Sequence, residues 1–401
     1  MKKLCLLAAL ATLAACQPQE KGYTIKGTLT GDSIPEGKVY LQKQLPFEVM
    51  RIDSAVMEHG KFRLQGQINQ PEMYTLYIDT RTNPQESPRG KVFVTNFYLE
   101  NSPITIEGEF DCLPSIYWTP DRKVIPPVIK GSATQDLYQQ LLTTLKPYSD
   151  SLQAIDRQFL EEYTKPMMAD REHKKDYTDI GINLVTKQAD YQQQYIQKVK
   201  AFIQQNPSSV VALDQLKALF SGLTVNFNEK EITEMKSWIT DAWQGTPQLA
   251  ELDSMVNVIT PLALGNKYID IDVENPDGKS VKLASLIPSG KYVLLDFWAS
   301  WCGPCRAEIP HLVKVNKQYK DFAIISISVD EKREEWLKAL KEENMSWTQA
   351  RIADGIMGNT VKKYNITAVP TCIVLDPEGR FYKVNMRGPA LDKFLKETYQ
   401  H

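Results

Sequence analysis

Two cysteines separated by two residues, Cys302 and Cys305, follow an apolar run in the stretch DFWASWCGPCRAEIP at residues 296–310. A pair at this spacing can hold a metal ion, close a small structural disulfide or exchange electrons. A structural zinc site needs four ligands, and His311 adds one at most because the chain has no second cysteine pair of this kind. A disulfide that closes so short a loop removes little entropy from the unfolded chain. The spacing therefore favours redox chemistry without a metal or an organic cofactor, because the dithiol is itself the redox centre.

The elements around the pair put its first thiol at the start of a helix. The apolar run that ends at Trp298 predicts a strand, and the pattern from Cys302 onward predicts a helix. Unpaired N–H groups and the helix dipole favour a thiolate there, so we expect Cys302 to attack a partner's disulfide. Cys305 follows one turn later and can attack the mixed disulfide to release the product. Gly303 leaves room for the partner chain, and Pro304 suits a first turn because its missing N–H costs nothing there.

The wider pattern predicts a multidomain chain. Residues 260–401 alternate strands and helices and end in a hairpin and a helix, which predicts an α/β domain with a mixed central sheet and helices on both faces. Residues 22–131 carry short β-branched and aromatic runs, which predict an antiparallel β domain, a small sandwich or barrel with an irregular end at 111–131. Residues 132–259 space their apolar residues by three and four, which predicts a helical region.

The first residues of the chain indicate the cellular compartment in which the protein acts. Two lysines precede an unbroken apolar run at residues 4–15, and Cys16 follows. This order is typical of a secretory signal. The run would reach only about 18 Å as a helix, too short for a bilayer core of about 30 Å. Its last residues, Leu13 to Cys16, resemble the lipobox of bacterial lipoproteins. The resemblance implies a signal peptide over residues 1–15, acylation of Cys16, and a short tether over residues 16–21. An ordinary cleavable signal with an incidental cysteine is the alternative.

Cysteine usage and charge exclude other classes. With Cys5 removed and Cys16 acylated, four cysteines remain in a chain of 401 residues, too few for a disulfide-stapled scaffold. Besides the pair, these are Cys112, without a visible partner, and Cys372. A formal net charge of −2 predicts no nucleic-acid partner and no broad electrostatic attraction to membranes. Membrane attachment is therefore expected through lipid, with the protein facing the periplasm or extracytoplasmic space.

The stretch around the pair resembles the thioredoxin superfamily. The shared residue types are Asp296, Trp298, Ala299, Trp301, Cys302, Gly303, Pro304, Cys305 and Pro310. Downstream, Val369 and Pro370 resemble the family's cis-proline loop, which implies that the Val369 backbone binds an extended substrate. Glu308 is similar to an acid of the membrane-anchored TlpA/ResA-type thiol-disulfide oxidoreductases. Cys372 departs from the family, which has a bulky apolar residue there, and a buried thiol packing as a hydrophobe is expected.

The resemblance implies roles for the acids and for one tryptophan. Asp296 is implied to be a buried acid with a raised pKa that takes a proton from Cys305. A strand-end cap or a lysine partner is the alternative for Asp296, and a solvated helix acid is the alternative for Glu308. Trp301 is expected to pack, as Trp298 does, and also to shape the substrate-binding rim around the thiol. His311, in contrast, is interpreted as a surface or packing residue.

The functional prediction follows from both ends of the chain. The protein is predicted to be a lipid-anchored protein-disulfide reductase of the envelope. Its expected substrates are partner proteins such as cytochrome c precursors, and its expected electron source is a membrane thiol donor. A peroxiredoxin-type peroxidase is excluded because its Pro-x-x-x-Thr-x-x-Cys motif is absent. The segments GKFRLQG, LENSPITIEG and VIKGSATQ resemble a β domain of unknown function that precedes thioredoxin modules in envelope lipoproteins. The alternative is thus a binding or scaffold lipoprotein whose N-terminal half recognises a protein or glycan.

Overall fold

The computed structural model describes residues 22–45, 48–117, 122–170, 175–221 and 226–399. Cys16, the predicted signal peptide (1–15) and the tether (16–21) lie outside these ranges. The chain divides into two compact units, Met1–Gln140 and Leu141–His401. The boundary falls within the first long helix, so it differs from the predicted boundaries at 131/132 and 259/260, which remain predictions.

The first unit is a β-sandwich of two four-stranded sheets. One sheet has the order β4-β1-β7-β8 and the other β3-β2-β5-β6. The strands are β1 Tyr23–Thr30, β2 Gly37–Gln44, β3 Val49–Met57, β4 Lys61–Gly66, β5 Glu72–Asp79, β6 Val92–Leu99, β7 Pro103–Glu109 and β8 Val128–Lys130. In β1, buried Ile25 and Leu29 alternate with exposed Lys26 and Thr28, so one face of the strand enters the core.

Both sheets contribute to one core. Ile25 of β1, Leu41 of β2, Leu76 of β5 and Ile104 of β7 are almost completely buried in the same cluster. The predicted β class is confirmed, with three differences in detail. The pair β1 and β7 is parallel rather than antiparallel. Strand β3 was not predicted, because most of it is exposed and its sequence lacks a clear alternation. The segment at 111–131, which was expected to be irregular, contains β8. Its first residues belong to a short 3-10 turn, Phe110–Cys112.

The helical region consists of six α-helices and one π-helical turn within the described residues. They are α1 Ala133–Gln158, the π-helical turn Phe159–Thr164, α2 Lys165–Ala169, α3 Thr178–Gln205, α4 Val210–Phe220, α5 Glu229–Trp243 and α6 Pro247–Ile259. Side chains cap several starts, as at Ser209, whose hydroxyl accepts the N–H of Val211, and at Asn228, which forms a capping box with Glu231. Helix α6 lies within the predicted helical region, and Thr246 and Pro247 form a typical helix start.

The C-terminal part forms a seven-stranded mixed sheet in the order β10-β9-β13-β12-β11-β14-β15. Its elements are β9 Asp272–Glu274, β10 Ser280–Lys282, β11 Tyr292–Trp298, α7 Gly303–Gln318, β12 Phe322–Ser328, α8 Arg333–Glu343, β13 Thr348–Arg351, α9 Asn359–Lys362, β14 Thr371–Leu375, β15 Phe381–Val384 and α10 Pro389–Tyr399. Strand β11 pairs in parallel with β12 and antiparallel with β14. Val293, Leu294 and Leu295 are fully buried, as expected for a central strand with both faces covered.

Helix α10 packs against α3 of the helical region. Lys396 Nζ lies 2.9 Å from Asp179 Oδ1, and Lys393 Nζ lies 3.0 Å from Thr186 Oγ1. A Cβ atom on Gly181 would lie 2.5 Å from the ring of Pro389, so a side chain at Gly181 would prevent this close approach. The helical region and the α/β part therefore share one compact unit.

Candidate active site

Strand β11 and helix α7 position the two cysteines. The strand ends at Trp298, and Cys302 is the N-cap of α7, with Pro304 in the first turn. The Cys302 Sγ accepts a hydrogen bond from the N–H of Cys305 at 3.2 Å, so this sulfur occupies the position of a capping oxygen. A disulfide joins Cys302 and Cys305. The sulfur that receives the helix N–H groups is the one that such a site stabilises as a thiolate after reduction.

Exposure does not distinguish the two cysteines in this oxidised form. Each residue is 4% exposed. Trp301 differs from expectation, because it was expected to pack and is 60% exposed, whereas Trp298 is buried as predicted. A Cβ atom built on Gly303 would have no neighbour within 4 Å, so the surface beside the disulfide is open at that position. An exposed indole and an open glycine thus adjoin the buried disulfide.

A buried acid fixes the turn between β11 and α7. Asp330 Oδ2 accepts the N–H of Ser300 at 2.9 Å, and its Oδ1 accepts the Ser300 hydroxyl at 2.7 Å. Ser328 donates its hydroxyl to Asp330 at 2.7 Å, and Arg351 donates to the Asp330 carbonyl at 3.0 Å. These bonds connect the turn that precedes Cys302 to the ends of β12 and β13. The sequence prediction did not include Asp330 as a site residue.

Asp296 lies in the sheet between two uncharged donors. Its register partners are Ser326 on β12 and Cys372 on β14. The Ser326 hydroxyl donates to Asp296 Oδ2 at 2.7 Å, and the Cys372 thiol donates to Oδ1 at 3.6 Å. Burial raises the pKa of Asp296 to about 6. The hydrogen bonds from Ser326 and Cys372 lower this pKa, and the charge of Glu308 raises it further. This carboxyl group is therefore suited to accept and return a proton near neutral pH.

The neighbours of Asp296 extend into a polar row across four strands. Trp347 Nε1 donates to the Ser326 hydroxyl at 2.9 Å, which orients that hydroxyl toward the carboxylate. Gln349 follows Ser326 in register on β13 and is buried. Cys372 was expected to pack as a small hydrophobe, but its thiol is also a hydrogen-bond donor to the acid. Burial, with the charge of Asp296, raises the pKa of Cys372 well above its ordinary value.

A second polar cluster joins α7 to α10. Glu308 Oε1 lies 2.7 Å from His311 Nδ1 and accepts the N–H of Gly388 at 2.7 Å. The other ring nitrogen, His311 Nε2, lies 2.7 Å from Asp392 Oδ1. Burial disfavours the imidazolium, but the hydrogen bonds to Asp392 and Glu308 outweigh it and raise the pKa of His311 to about 10. The interpretation of His311 as a surface or packing residue is therefore incomplete, because it bridges two carboxylates.

The predicted substrate loop lies at the same end of the sheet as the disulfide. The Val369–Pro370 peptide bond is cis, as the family resemblance implies. Thr371, the next residue, pairs in register with Phe297, one residue before the end of β11. The remaining described cysteines, Cys112 and Cys372, are buried and form no disulfide. No helix in the described ranges has the length and apolar character needed to cross a membrane, and no metal-binding group of His, Cys, Asp or Glu occurs in them.

A disulfide at a helix N-terminus, a buried acid on the preceding central strand and a mixed sheet covered by helices define a dithiol–disulfide exchange protein. Comparisons with known proteins agree with this class. Residues 290–381 match the family described as Thioredoxin-like, and residues 23–138 match a domain of unknown function, DUF4369. The thiol-disulfide oxidoreductase ResA of Halalkalibacterium halodurans is 28% identical over 124 residues, which are 31% of this chain and 69% of that protein.

Two further matches concern the same part of the chain. Thioredoxin-like protein YneN of Bacillus subtilis is 31% identical over 119 residues, which are 29% of this chain and 66% of that protein. The solved thioredoxin domain of a thiol-disulfide oxidoreductase from Bacteroides vulgatus is 34% identical, with a TM-score of 0.32. That match covers 34% of this chain and 98% of that domain. Residues 290–381 therefore form a thioredoxin-like domain, and the chain is a thiol-disulfide oxidoreductase, the class for which the relatives of this part of the chain are named.

Proposed function

We propose that this oxidoreductase is a lipoprotein of the bacterial envelope that reduces disulfides in partner proteins. The observation that carries the redox proposal is the pair Cys302 and Cys305 at the N-terminus of α7, directly after the strand that buries Asp296. The lipobox-like sequence before Cys16 supports attachment through lipid and an extracytoplasmic position. The resemblance of CGPC to reducing thioredoxins supports the direction of electron flow.

The exchange takes place in two steps. The Cys302 thiolate attacks one sulfur of a partner disulfide, forms a mixed disulfide and displaces the partner's other sulfur as a thiolate. Asp296 then accepts the proton of Cys305, and the Cys305 thiolate attacks Cys302. The second partner sulfur leaves, and the Cys302–Cys305 disulfide of the structure forms. Two electrons pass from the dithiol to the partner, and a membrane thiol donor returns them.

The substrate loop and rim complete the site. Val369 and Pro370 offer backbone to an extended segment of the partner, which main-chain hydrogen bonds can recognise. Trp301 and Gly303 border the disulfide, with an exposed apolar ring on one side and open space on the other. Cytochrome c precursors are one substrate class whose cysteine pairs need reduction outside the cytoplasm. Glu308 adds a second carboxyl group to the site, and its charge raises the pKa of Asp296 further.

Trapping variants test the roles of the two thiols. We expect the full chain with Cys305→Ala to form adducts with an oxidised test protein such as insulin, because Cys302 attacks but nothing resolves the adduct. Cys302→Ala should form few adducts, and the double variant Cys302→Ala/Cys305→Ala gives the background from the other cysteines. The readout is the amount of reducible adduct on non-reducing gels. Equal trapping by the two single variants contradicts the assignment.

The reduction potential tests the direction. Equilibration of the Cys302–Cys305 pair with thiol buffers should give a potential closer to the roughly −270 mV of reducing thioredoxins than to the roughly −120 mV of a strong oxidant. A strongly oxidising potential contradicts the reductase direction and leaves the exchange activity intact. Failure to capture any envelope protein in cells, despite adducts with insulin, favours the binding-lipoprotein alternative.

A further inference from the structure

Three ionisable side chains connect the dithiol helix to the C-terminal helix. Both ring nitrogens of His311 lie 2.7 Å from a carboxylate oxygen, one on Glu308 and one on Asp392. When both carboxyl groups are ionised, each only accepts hydrogen bonds, so both ring nitrogens carry a hydrogen and the ring is an imidazolium. The N–H of Gly388 donates to the same Glu308 oxygen at 2.7 Å, and this second donor also favours the ionised carboxylate.

We propose that His311 and Asp392 are positioning residues that keep Glu308 as a fixed anion beside the redox site. Glu308 then acts through its charge instead of carrying a proton. The cluster has two negative charges and one positive charge, so a net negative charge remains on the face of α7. The inference rests on the proposed roles of Asp296 and the dithiol, because it assigns Glu308 an influence on the proton that Asp296 takes up.

The surroundings leave this charge assignment intact. Several other ionisable groups act on the cluster only at longer range, without a hydrogen bond to it. They are Tyr163 of the π-helical turn, Tyr319 directly after α7, and Lys396 of α10. The negative charges of Asp392 and Glu308 add to the effect of burial on Tyr163, whose phenol therefore stays neutral. Lys396 is itself hydrogen-bonded to Asp179 and does not neutralise either carboxylate of the cluster directly.

The charge of Glu308 reaches the two groups in the sheet that handle protons. It adds to burial in raising the pKa of Asp296 and of Cys372. A fixed anion at Glu308 therefore makes Asp296 a stronger base when Cys305 gives up its proton. Without His311, the two carboxylates would repel each other, the negative charge at Glu308 would no longer be held in place, and Asp296 would lose part of that basicity.

The charge assignment is tested by ¹⁵N NMR of imidazole groups in the full chain, which has four histidines. We expect the His311 signal to stay doubly protonated above about pH 8, where an ordinary histidine is neutral. His311→Gln assigns the signal, and His59→Asn is the control, because His59 is exposed and its φ of 48° suits asparagine. In Asp392→Asn the same signal should titrate at lower pH. A His311 signal that titrates near its ordinary value of about 6.5 overturns the proposal.

The influence on the redox site is tested by the pH dependence of the second step. Rapid mixing separates formation of the mixed disulfide from its resolution by Cys305. In His311→Gln we expect the resolution profile to move to lower pH by about half a unit or more, with the attack rate of Cys302 unchanged within about twofold. Asp392→Asn should move it in the same direction and by less, and His59→Asn should not move it.

The outcomes separate this inference from the proposed function. If the wild-type chain resolves mixed disulfides but the profile does not move in His311→Gln, the inference fails and the proposed function stands. If the wild-type chain forms no mixed disulfide while His311 remains an imidazolium, the proposed function fails and the charge assignment stands. Should His311→Gln not fold, the wild-type titration and Asp392→Asn decide the question.

Discussion

The two polar clusters near the dithiol respond to burial in opposite ways. Asp296 has only uncharged donors, Ser326 and Cys372, and burial raises its pKa to about 6, so it tends toward the neutral form. His311 is partly buried between two carboxylates, and its pKa rises to about 10, so it keeps its charge. Burial alone favours the neutral form of a group, and only an opposite charge in hydrogen-bond contact reverses this. One cluster can therefore exchange a proton near pH 7, while the other provides a constant charge.

Removal of the exchangeable proton site should have the largest effect. We expect Asp296→Asn to slow resolution of the mixed disulfide on the order of 100-fold, because general-base assistance to Cys305 is lost. The initial attack by Cys302 should change much less. Single-turnover measurements of the two steps check this. An equal loss in both steps would mean that Asp296 acts only structurally.

The same variant should also be more stable above about pH 6. The folded pKa of Asp296 is raised from 3.8 to about 6, so the ionised form is disfavoured by folding. The resulting penalty is absent below pH 3.8, grows between the two values and is complete above pH 6. We expect Asp296→Asn to raise the free energy of unfolding at pH 7 on the order of 2 kcal/mol, and by little at pH 3.5. Denaturant unfolding at both pH values measures the difference.

The charged cluster should show the reverse dependence on pH. The folded pKa of His311 is raised from 6.5 to about 10, so its contribution to stability is complete below pH 6.5 and is lost as pH rises through 10. We expect His311→Gln to lower the free energy of unfolding by about 2 kcal/mol at pH 6, because two partly buried carboxylates lose their cation. The difference from wild type should shrink at pH 10. A difference that does not depend on pH would contradict the charged state.

Loss of the hydroxyl between Asp296 and Trp347 should have an intermediate effect. Ser326→Ala leaves Asp296 Oδ2 and Trp347 Nε1 without their partner in a buried site. We expect a loss of unfolding free energy of about 1–2 kcal/mol and a further rise in the pKa of Asp296. Gln349→Leu is a matched control in the same polar row, because neither amide atom of this buried side chain has a hydrogen-bond partner among the described residues. It should be neutral or slightly stabilising.

The smallest effect should come from Cys372. Its thiol is a weak donor at 3.6 Å, and the residue otherwise packs between buried apolar neighbours. We expect Cys372→Val to raise the pKa of Asp296 by a few tenths and to change the free energy of unfolding by less than about 1 kcal/mol. NMR titration of the Asp296 carboxyl carbon measures the shift. A large change in turnover would show that this thiol takes part in the chemistry.

The sequence predicted the parts of the site that depend on neighbouring residues. The apolar strand, the cysteine spacing and the helix start place Cys302 and Cys305 by local rules, and the structure agrees. Ser326 and Cys372 were missed as partners of Asp296, because only the register of the assembled sheet puts them opposite it. The partnership of His311 with Asp392 spans 81 positions of the chain and depends on how α10 docks, which no local pattern contains.

The same distinction holds for the fold. Most strands and helices with one buried face were predicted, whereas β3 was not, because most of it is exposed and only its end, at Ala55 and Met57, packs against the core. Trp301 was expected to pack because most tryptophans do, yet it is 60% exposed. Only the folded chain shows which apolar side chains remain at the surface.

Helix α10 has a consequence for communication within the second unit. Its Asp392 belongs to the charged cluster, and its Lys393 and Lys396 bind Thr186 and Asp179 of α3. A ligand that bound α3 and displaced α10 would therefore change the proton affinity beside the dithiol. Thermodynamic linkage makes such an effect reciprocal, so that ligand would bind the protonated and deprotonated forms of the site with different affinities.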